Sequence, residues 1–282
     1  MKKQEFIPGY CFQQRSCVPR EAIVELAAPA KRAALHVLAV GINHYENSGL
    51  NLEFPLVDAV GIAAYFRKNG SQLFRELDIV ELHDAAPTKA NILAAFETLR
   101  NKAQPEDVVV LYFAGHGDMR ANDWYFLTYE LTRPEDDQEV IRKGVSATIL
   151  AESMKNIRSQ KMLLLLDACY AGSAIAVFRG IEDRKALEQL ARSSGIYVVA
   201  ASTKDQQAVE LPELGHGVFT YVVLKGLEGE AMKSQQDHQV TAMSLLLYIN
   251  NKMPQISEQY KAQPQYPVTK STGMDFPLAL AK

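Results

Sequence analysis

Short, near-continuous apolar runs alternate along this chain with stretches in which apolar side chains recur at helical spacing. The runs Leu35–Gly41, Asp78–Leu82, Asp107–Ala114, Lys161–Leu166 and Ile196–Ala201 predict strands, and their apolar character suits burial on both faces. Between them, Pro55–Lys68 reads as a helix that Pro55 opens and Asn69-Gly70 closes. Thr88 is placed to cap a second helix running to Arg100, with Ile92, Leu93, Phe96 and Leu99 on one side. Further helices are predicted from Ser146 to about Ile157, over Val218–Leu227 and over Thr241–Asn251. Trp124–Tyr129 reads as a short strand, Glu135–Glu139 as a loop, and the Pro-rich C-terminal sequence as strand-poor. Strands alternating with helices build βαβ units. The predicted fold class is therefore α/β, with a mainly parallel central sheet flanked by helices on both faces.

Composition narrows the function classes. Of 282 residues, 48% are hydrophobic and 22% charged, the balance of an ordinary globular protein. A net charge of -3 without any block of like charges gives no footing for nucleic acid or an anionic membrane. The longest apolar runs, Val108–Ala114 and Met162–Leu166, fall far short of the ~20 residues that span a bilayer. The first residues, Met1–Pro8, contain no apolar stretch of the kind a secretory signal needs. Three cysteines, Cys11, Cys17 and Cys169, make no disulfide framework, so reduced thiols and a cytoplasmic location are expected. His36, His44, His83, His216 and His238 make no metal-ligand spacing, and neither HExxH, a paired CxxC nor a phosphate-binding loop occurs. Residues 1–34, with Pro8, Pro19 and Pro29, read as an N-terminal extension to one α/β domain over 35–282.

In an open α/β sheet, reactive groups gather beyond the carboxyl ends of the strands. Two predicted strands end in such groups, one at Gly115-His116-Gly117 and the other at Asp167-Ala168-Cys169. Taken singly, a Cys in an apolar run is usually a small hydrophobe, and His-Gly after a strand is only a turn. Together they offer a thiol and a base to activate it. The glycines let a substrate approach the backbone, and the N–H groups of Gly117 and Cys169 are candidates to stabilise a tetrahedral oxyanion. That set suits acyl transfer, and hence cysteine proteolysis.

Phe113-Ala114-Gly115-His116-Gly117 and Leu166-Asp167-Ala168-Cys169-Tyr170-Ala171-Gly172 resemble the His and Cys motifs of caspase-like cysteine peptidases, closest to the metacaspase and prokaryotic orthocaspase branch. The resemblance runs from about Leu35 to Leu280. It takes in Leu56-Val57-Asp58-Ala59, Ala201-Ser202-Thr203-Lys204-Asp205-Gln206, Gly217-Val218-Phe219-Thr220-Tyr221 and Asp275-Phe276-Pro277-Leu278. His116 precedes Cys169 by 53 residues, close to the interval of about 50 in caspases. The resemblance implies Cys169 as nucleophile, His116 as general base and acid, and the N–H groups of Gly117 and Cys169 as oxyanion hole. It divides the domain into a large-subunit-like part (35–178), a linker (179–195) and a small-subunit-like part (196–282).

Caspases proper carry Gln two residues before the nucleophile, where this chain has Asp167, as metacaspases do. The resemblance adds Asp58 to the same pocket. Two carboxylates in one partly buried pocket repel and demand a cation, which a substrate Arg or Lys at P1 supplies, Arg pairing better through its planar fork. Ser202 and Asp205 are further expected pocket-wall residues. An enzyme of that specificity, or another protease, could cut the linker after Arg179, Arg184, Lys185 or Arg192; the other reading is a helix Arg184–Ala191 with ordinary surface charges. The chain departs from metacaspases at Ala114, where they usually carry Ser, and at Pro55, where they carry Cys. Calcium, an activator of many metacaspases, has only Glu135, Asp136, Asp137, Glu182 and Asp183 as candidate ligands, without a recognisable pattern. The chemistry itself requires no cofactor and no metal. Expected partners are a protein or peptide substrate and an activating protease or regulator, and the branch implies a monomer. Two other readings stay open: a catalytically idle caspase-fold adaptor, and a zymogen-like protease of a bacterial defence cascade with one protein target.

Overall fold

The computed structural model describes residues 32–180, 195–203, 210–211, 214–232, 238–260 and 264–280. Strands β1 (Leu35–Gly41), β2 (Leu77–His83), β3 (Val108–Gly115), β7 (Lys161–Ala168), β8 (Gly195–Ala200) and β12 (Val268–Gly273) form one sheet in the order β12-β8-β7-β3-β1-β2. All neighbours are parallel except β12, which runs antiparallel to β8. Every residue of β1, β3 and β8 is buried, as continuous apolar runs require when helices cover both faces.

The alternation of side chains along β3 shows how the two faces are filled. Val109, Leu111 and Phe113 join one apolar cluster, packed with Ile92, Phe96 and Leu99 of α2 (Lys89–Lys102) and Leu150 and Met154 of α4 (Ala147–Asn156). Val110 and Tyr112 join the other, with Ile62 and Phe66 of α1 (Pro55–Asn69), Phe219 and Val222 of α5 (Val218–Lys225) and Leu245 and Ile249 of α6 (Ala242–Gln259). Thr88 caps α2 as predicted and Ser146, read as the start of a helix, caps α4, each hydroxyl accepting a backbone N–H at 3.2 Å.

Three stretches differ from the sequence reading. The acidic segment read as a loop contains α3 (Asp137–Lys143), because the Asp136 carboxylate accepts from the N–H groups of Gln138 and Glu139 and caps it. After β3 the chain makes a small antiparallel sheet of β4 (Gly117–Arg120), β5 (Asp123–Phe126) and β6 (Val145–Ser146), of which only the β5 segment was expected. The C-terminal region, expected to be strand-poor, supplies β12 and β13 (Pro277–Leu280). As an edge strand β12 stays half exposed, so Val-Thr-Lys-Ser-Thr-Gly carries no apolar run to announce it. Strands β9 (Glu210–Leu211), β10 (His216–Gly217) and β11 (Gln239–Thr241) complete the described strands, β9 pairing with β10 and β11 with β13.

Candidate active site

Strands β3 and β7 lie side by side, and their last paired residues are Gly115 and Ala168. His116 and Cys169 are each the next residue after that pair, so the two chains leave the sheet with the imidazole and the thiol at neighbouring positions.

The segment after β1 holds the imidazole. Nε2 of His116 stands 2.8 Å from the carbonyl oxygen of Leu50. A carbonyl only accepts, so Nε2 carries the proton and Nδ1 is left with the lone pair. The His116 backbone N–H donates to the Tyr45 hydroxyl at 2.9 Å, and the two rings lie 5.3 Å apart at 48°. Burial, opposed by that hydrogen bond, pushes the Tyr45 phenol above its ordinary range, and the nearby Cys169 adds to the rise. Asn43 grips both ends of the loop that carries Leu50, its amide donating to the Glu53 carbonyl and accepting from the Leu56 N–H, each at 2.7 Å.

A tight elbow carries the thiol. Tyr170, directly after Cys169, has a φ of 57°, a left-handed conformation that non-glycine residues seldom adopt. The Trp124 indole N–H donates to the Cys169 carbonyl at 3.0 Å, and Ser202 donates its hydroxyl to the Ala168 carbonyl at 3.0 Å. Gly117 lies against this elbow so closely that a Cβ there would stand 2.6 Å from the Cys169 oxygen. The ladder bond between β4 and β5 runs from the Leu127 N–H to the His116 carbonyl. Gly117 and Phe126 are therefore the non-hydrogen-bonded pair, with the Gly117 N–H turned away from β5.

Two buried carboxylates complete the site. Asp58, in the first turn of α1, accepts from the Gly217 N–H and from Nδ1 of His216, the latter at 2.7 Å. Asp167 accepts from the Thr220 hydroxyl at 2.9 Å and from the Tyr112 hydroxyl at 3.3 Å. Burial first, and then the charges of Asp167 and Asp58, push the Tyr112 phenol well above its ordinary range, so it stays a donor. A Cβ on Gly217 would stand 3.0 Å from one oxygen of Asp58 and 3.5 Å from one of Asp167. The two carboxylates thus converge on one glycine. A cavity of about 450 Å³ is lined by both, by His116, Gly117, Cys169 and Gly217, and by Asp118. Among the described residues that line it, none is Lys or Arg. Asp118 pairs with Arg120 at 2.7 Å.

A family model for the caspase domain of the C14 peptidases matches residues 34–276, nearly the whole described fold. The chain belongs to this caspase-domain family. Among curated proteins it is similar to metacaspase-1A of Aspergillus terreus, 29% identical over 184 residues, which are 59% of this chain and 40% of that protein. Metacaspase-1 of Emericella nidulans is likewise 29% identical, over 59% of this chain and 39% of its own length. The chain thus spans about two fifths of the curated relatives it matches. A crystal structure from Geobacter sulfurreducens shares the fold at a TM-score of 0.57 and 14% identity, over 86% of this chain and 94% of that one.

Within this caspase domain, His116, Gly117, Cys169, Asp58 and Asp167 are brought together around one cavity. Ser202 does not line it. It is fully buried two residues beyond the end of β8, and its hydroxyl ties that strand end to the base of the elbow. Asp205, Arg184, Lys185 and Arg192 lie outside the described residues, as do Glu182 and Asp183. Arg179 falls in the helical stretch Ala171–Gly180. Asp136 caps α3 and Asp137 faces Arg120 at 2.7 Å. Among the described residues no group of three or more His, Cys, Asp or Glu side chains could hold a metal ion, and no helix is long and apolar enough to cross a membrane.

Several site residues escaped sequence reasoning. Tyr45, Leu50 and Trp124 act through contacts that carry no local pattern. His216 was considered only as a metal ligand. Its signal was available in the Gly217–Tyr221 fragment it precedes.

Proposed function

We propose that this chain is a cysteine endopeptidase that hydrolyses protein or peptide substrates after basic P1 residues, Arg in preference to Lys. The observation that carries the reading is the convergence of Asp58 and Asp167 on Gly217, inside the cavity that His116 and Cys169 also line. A guanidinium entering there meets two carboxylates and, among the described lining residues, no Lys or Arg.

The chemistry follows from the strand ends. His116 Nδ1 takes the proton of the Cys169 thiol, and the Leu50 carbonyl, accepting from Nε2–H, favours the resulting imidazolium. The thiolate forms a bond to the scissile carbonyl carbon, whose oxygen takes up the displaced electron pair and is received by the Gly117 and Cys169 N–H groups. When the tetrahedral intermediate collapses, the carbon–nitrogen bond breaks and His116 returns its proton to the leaving amine. Water then attacks the thioester, His116 accepts a proton from it, and the acid product leaves as the thiol is restored. No step draws on a cofactor. Calcium enters this reading only as an activator.

The reading is tested with fluorogenic peptides bearing P1 Arg, Lys or Asp, with calcium and with chelator, and with Cys169→Ala as the blank. Arg cleavage that vanishes in Cys169→Ala, and that Asp167→Asn weakens by about tenfold or more relative to a neutral P1 peptide, is the expected result. Cleavage after Asp would refute the acidic pocket and keep the His–Cys pair. Self-processing at Arg179, Arg184, Lys185 or Arg192 belongs to the same proposal. It predicts fragments in the intact mass of the wild type that Cys169→Ala lacks.

A further inference from the structure

We propose that His216 is a positioning residue of the specificity pocket, holding Asp58 in the orientation that receives a guanidinium. The inference deepens the reading above and rests on it.

Asp58 is 2% exposed, a degree of burial at which an ionised carboxylate persists only with donors around it. The neighbouring residues of β10 supply them: Gly217 through its N–H at 3.2 and 3.3 Å, His216 through Nδ1 at 2.7 Å. Because Asp58 lies at the N-terminal turn of α1, its charge also meets the positive end of that helix. The imidazole has a built seat. Gly61, inside α1, faces it so closely that a Cβ would stand 3.0 Å from its Cε1. Glycine is a poor helix former, and here its bareness admits the ring. One short strand thus does two things: residue 216 orients one carboxylate, and residue 217 leaves open the space in which both carboxylates meet a cation. Loss of the imidazole would let Asp58 rotate away from that space or draw in water, and the cost would fall on a charged P1 side chain and not on a neutral one.

The test compares P1 Arg with P1 citrulline, which has the same shape without the charge, in otherwise identical fluorogenic peptides. Wild-type kcat/KM should favour Arg strongly. His216→Ala should cut that preference about tenfold or more, the scale of a hydrogen bond to a charged group. The change should appear in KM, with citrulline turnover unchanged. Asn places an amide where Nδ1 stands, whereas Gln reaches the position of Nε2. His216→Asn should therefore recover the preference, and His216→Gln should not. An Arg preference that survives in a folded His216→Ala enzyme overturns the role of His216 and leaves the acidic pocket standing. Equal loss on both peptides, or rescue by neither amide, reduces His216 to a structural contact. A wild-type enzyme with no Arg preference refutes the pocket and this proposal together. If neither peptide is turned over, agmatine binding to the full chain by calorimetry decides: tight in wild type and His216→Asn but weak in His216→Ala supports the role, and any other pattern overturns it.

Discussion

Nε2 of His116 donates to the backbone carbonyl of Leu50 at 2.8 Å, so in the neutral imidazole Nδ1 is the nitrogen that carries the lone pair. Leu50 ends a single 3-10 turn, Ser48–Leu50, so the precision of the imidazole depends on a loop without a regular element of useful length. Asn43 is the clamp on that loop.

Asn43→Ala should accordingly lower kcat by roughly tenfold, as expected when a supporting hydrogen bond to a catalytic group's anchor is lost. Binding of the P1 residue should be unaffected. Steady-state kinetics on a P1 Arg peptide, with thermal melting as the fold control, would separate the two. A raised KM at constant kcat would contradict the assignment of the Leu50 carbonyl.

Gly117→Ala has to push its new methyl into the Cys169 carbonyl and the Trp124 indole, both 2.6 Å from the ideal Cβ. Overpacking of this kind costs about 1–3 kcal/mol. Because the atom displaced is the backbone of the elbow, turnover should fall by about 100-fold. Trp124 is the only tryptophan of the chain and donates to that same carbonyl. A shift in its fluorescence should accompany the loss. Unchanged emission and activity would show that the elbow is not held there.

Acid stability should depend on Glu139. Lys143, the Thr132 N–H and hydroxyl, and Arg133 all donate to its buried carboxylate and hold it well below the usual carboxylate range. The folded pKa is depressed, so the stabilisation is complete above the unfolded value of about 4.3 and is lost as pH falls through the folded value. Glu139→Gln should therefore lower Tm at pH 7, with the gap closing as pH drops below about 4. A gap that widens on acidification would reverse the sign and sink the assignment.

The strands that carry the candidate site were legible because β1, β3 and β7 are buried on both faces, and burial on both faces is written locally as an unbroken apolar run. What followed those runs, Gly115-His116-Gly117 and Asp167-Ala168-Cys169, could be read directly as candidate chemistry. The half-exposed edge strand β12 left no such trace, and the cap that makes α3 a helix looked like one more acid in a loop. Ser202 shows the limit from the other side. Two residues beyond a strand end, the path of the backbone decides between lining a cavity and lying beneath it, and periodicity does not reach that far. Adjacency is not local at all. That β3 pairs with β7, and that His216 meets Asp58 across 158 residues, depends on strand order and on how α1 and α5 pack over the sheet. A chain writes which face of each element is apolar, because that is a property of neighbouring residues. Which polar groups then share a pocket is settled by the assembled layers, whose packing holds two buried carboxylates, a histidine and a bare glycine within reach of one another.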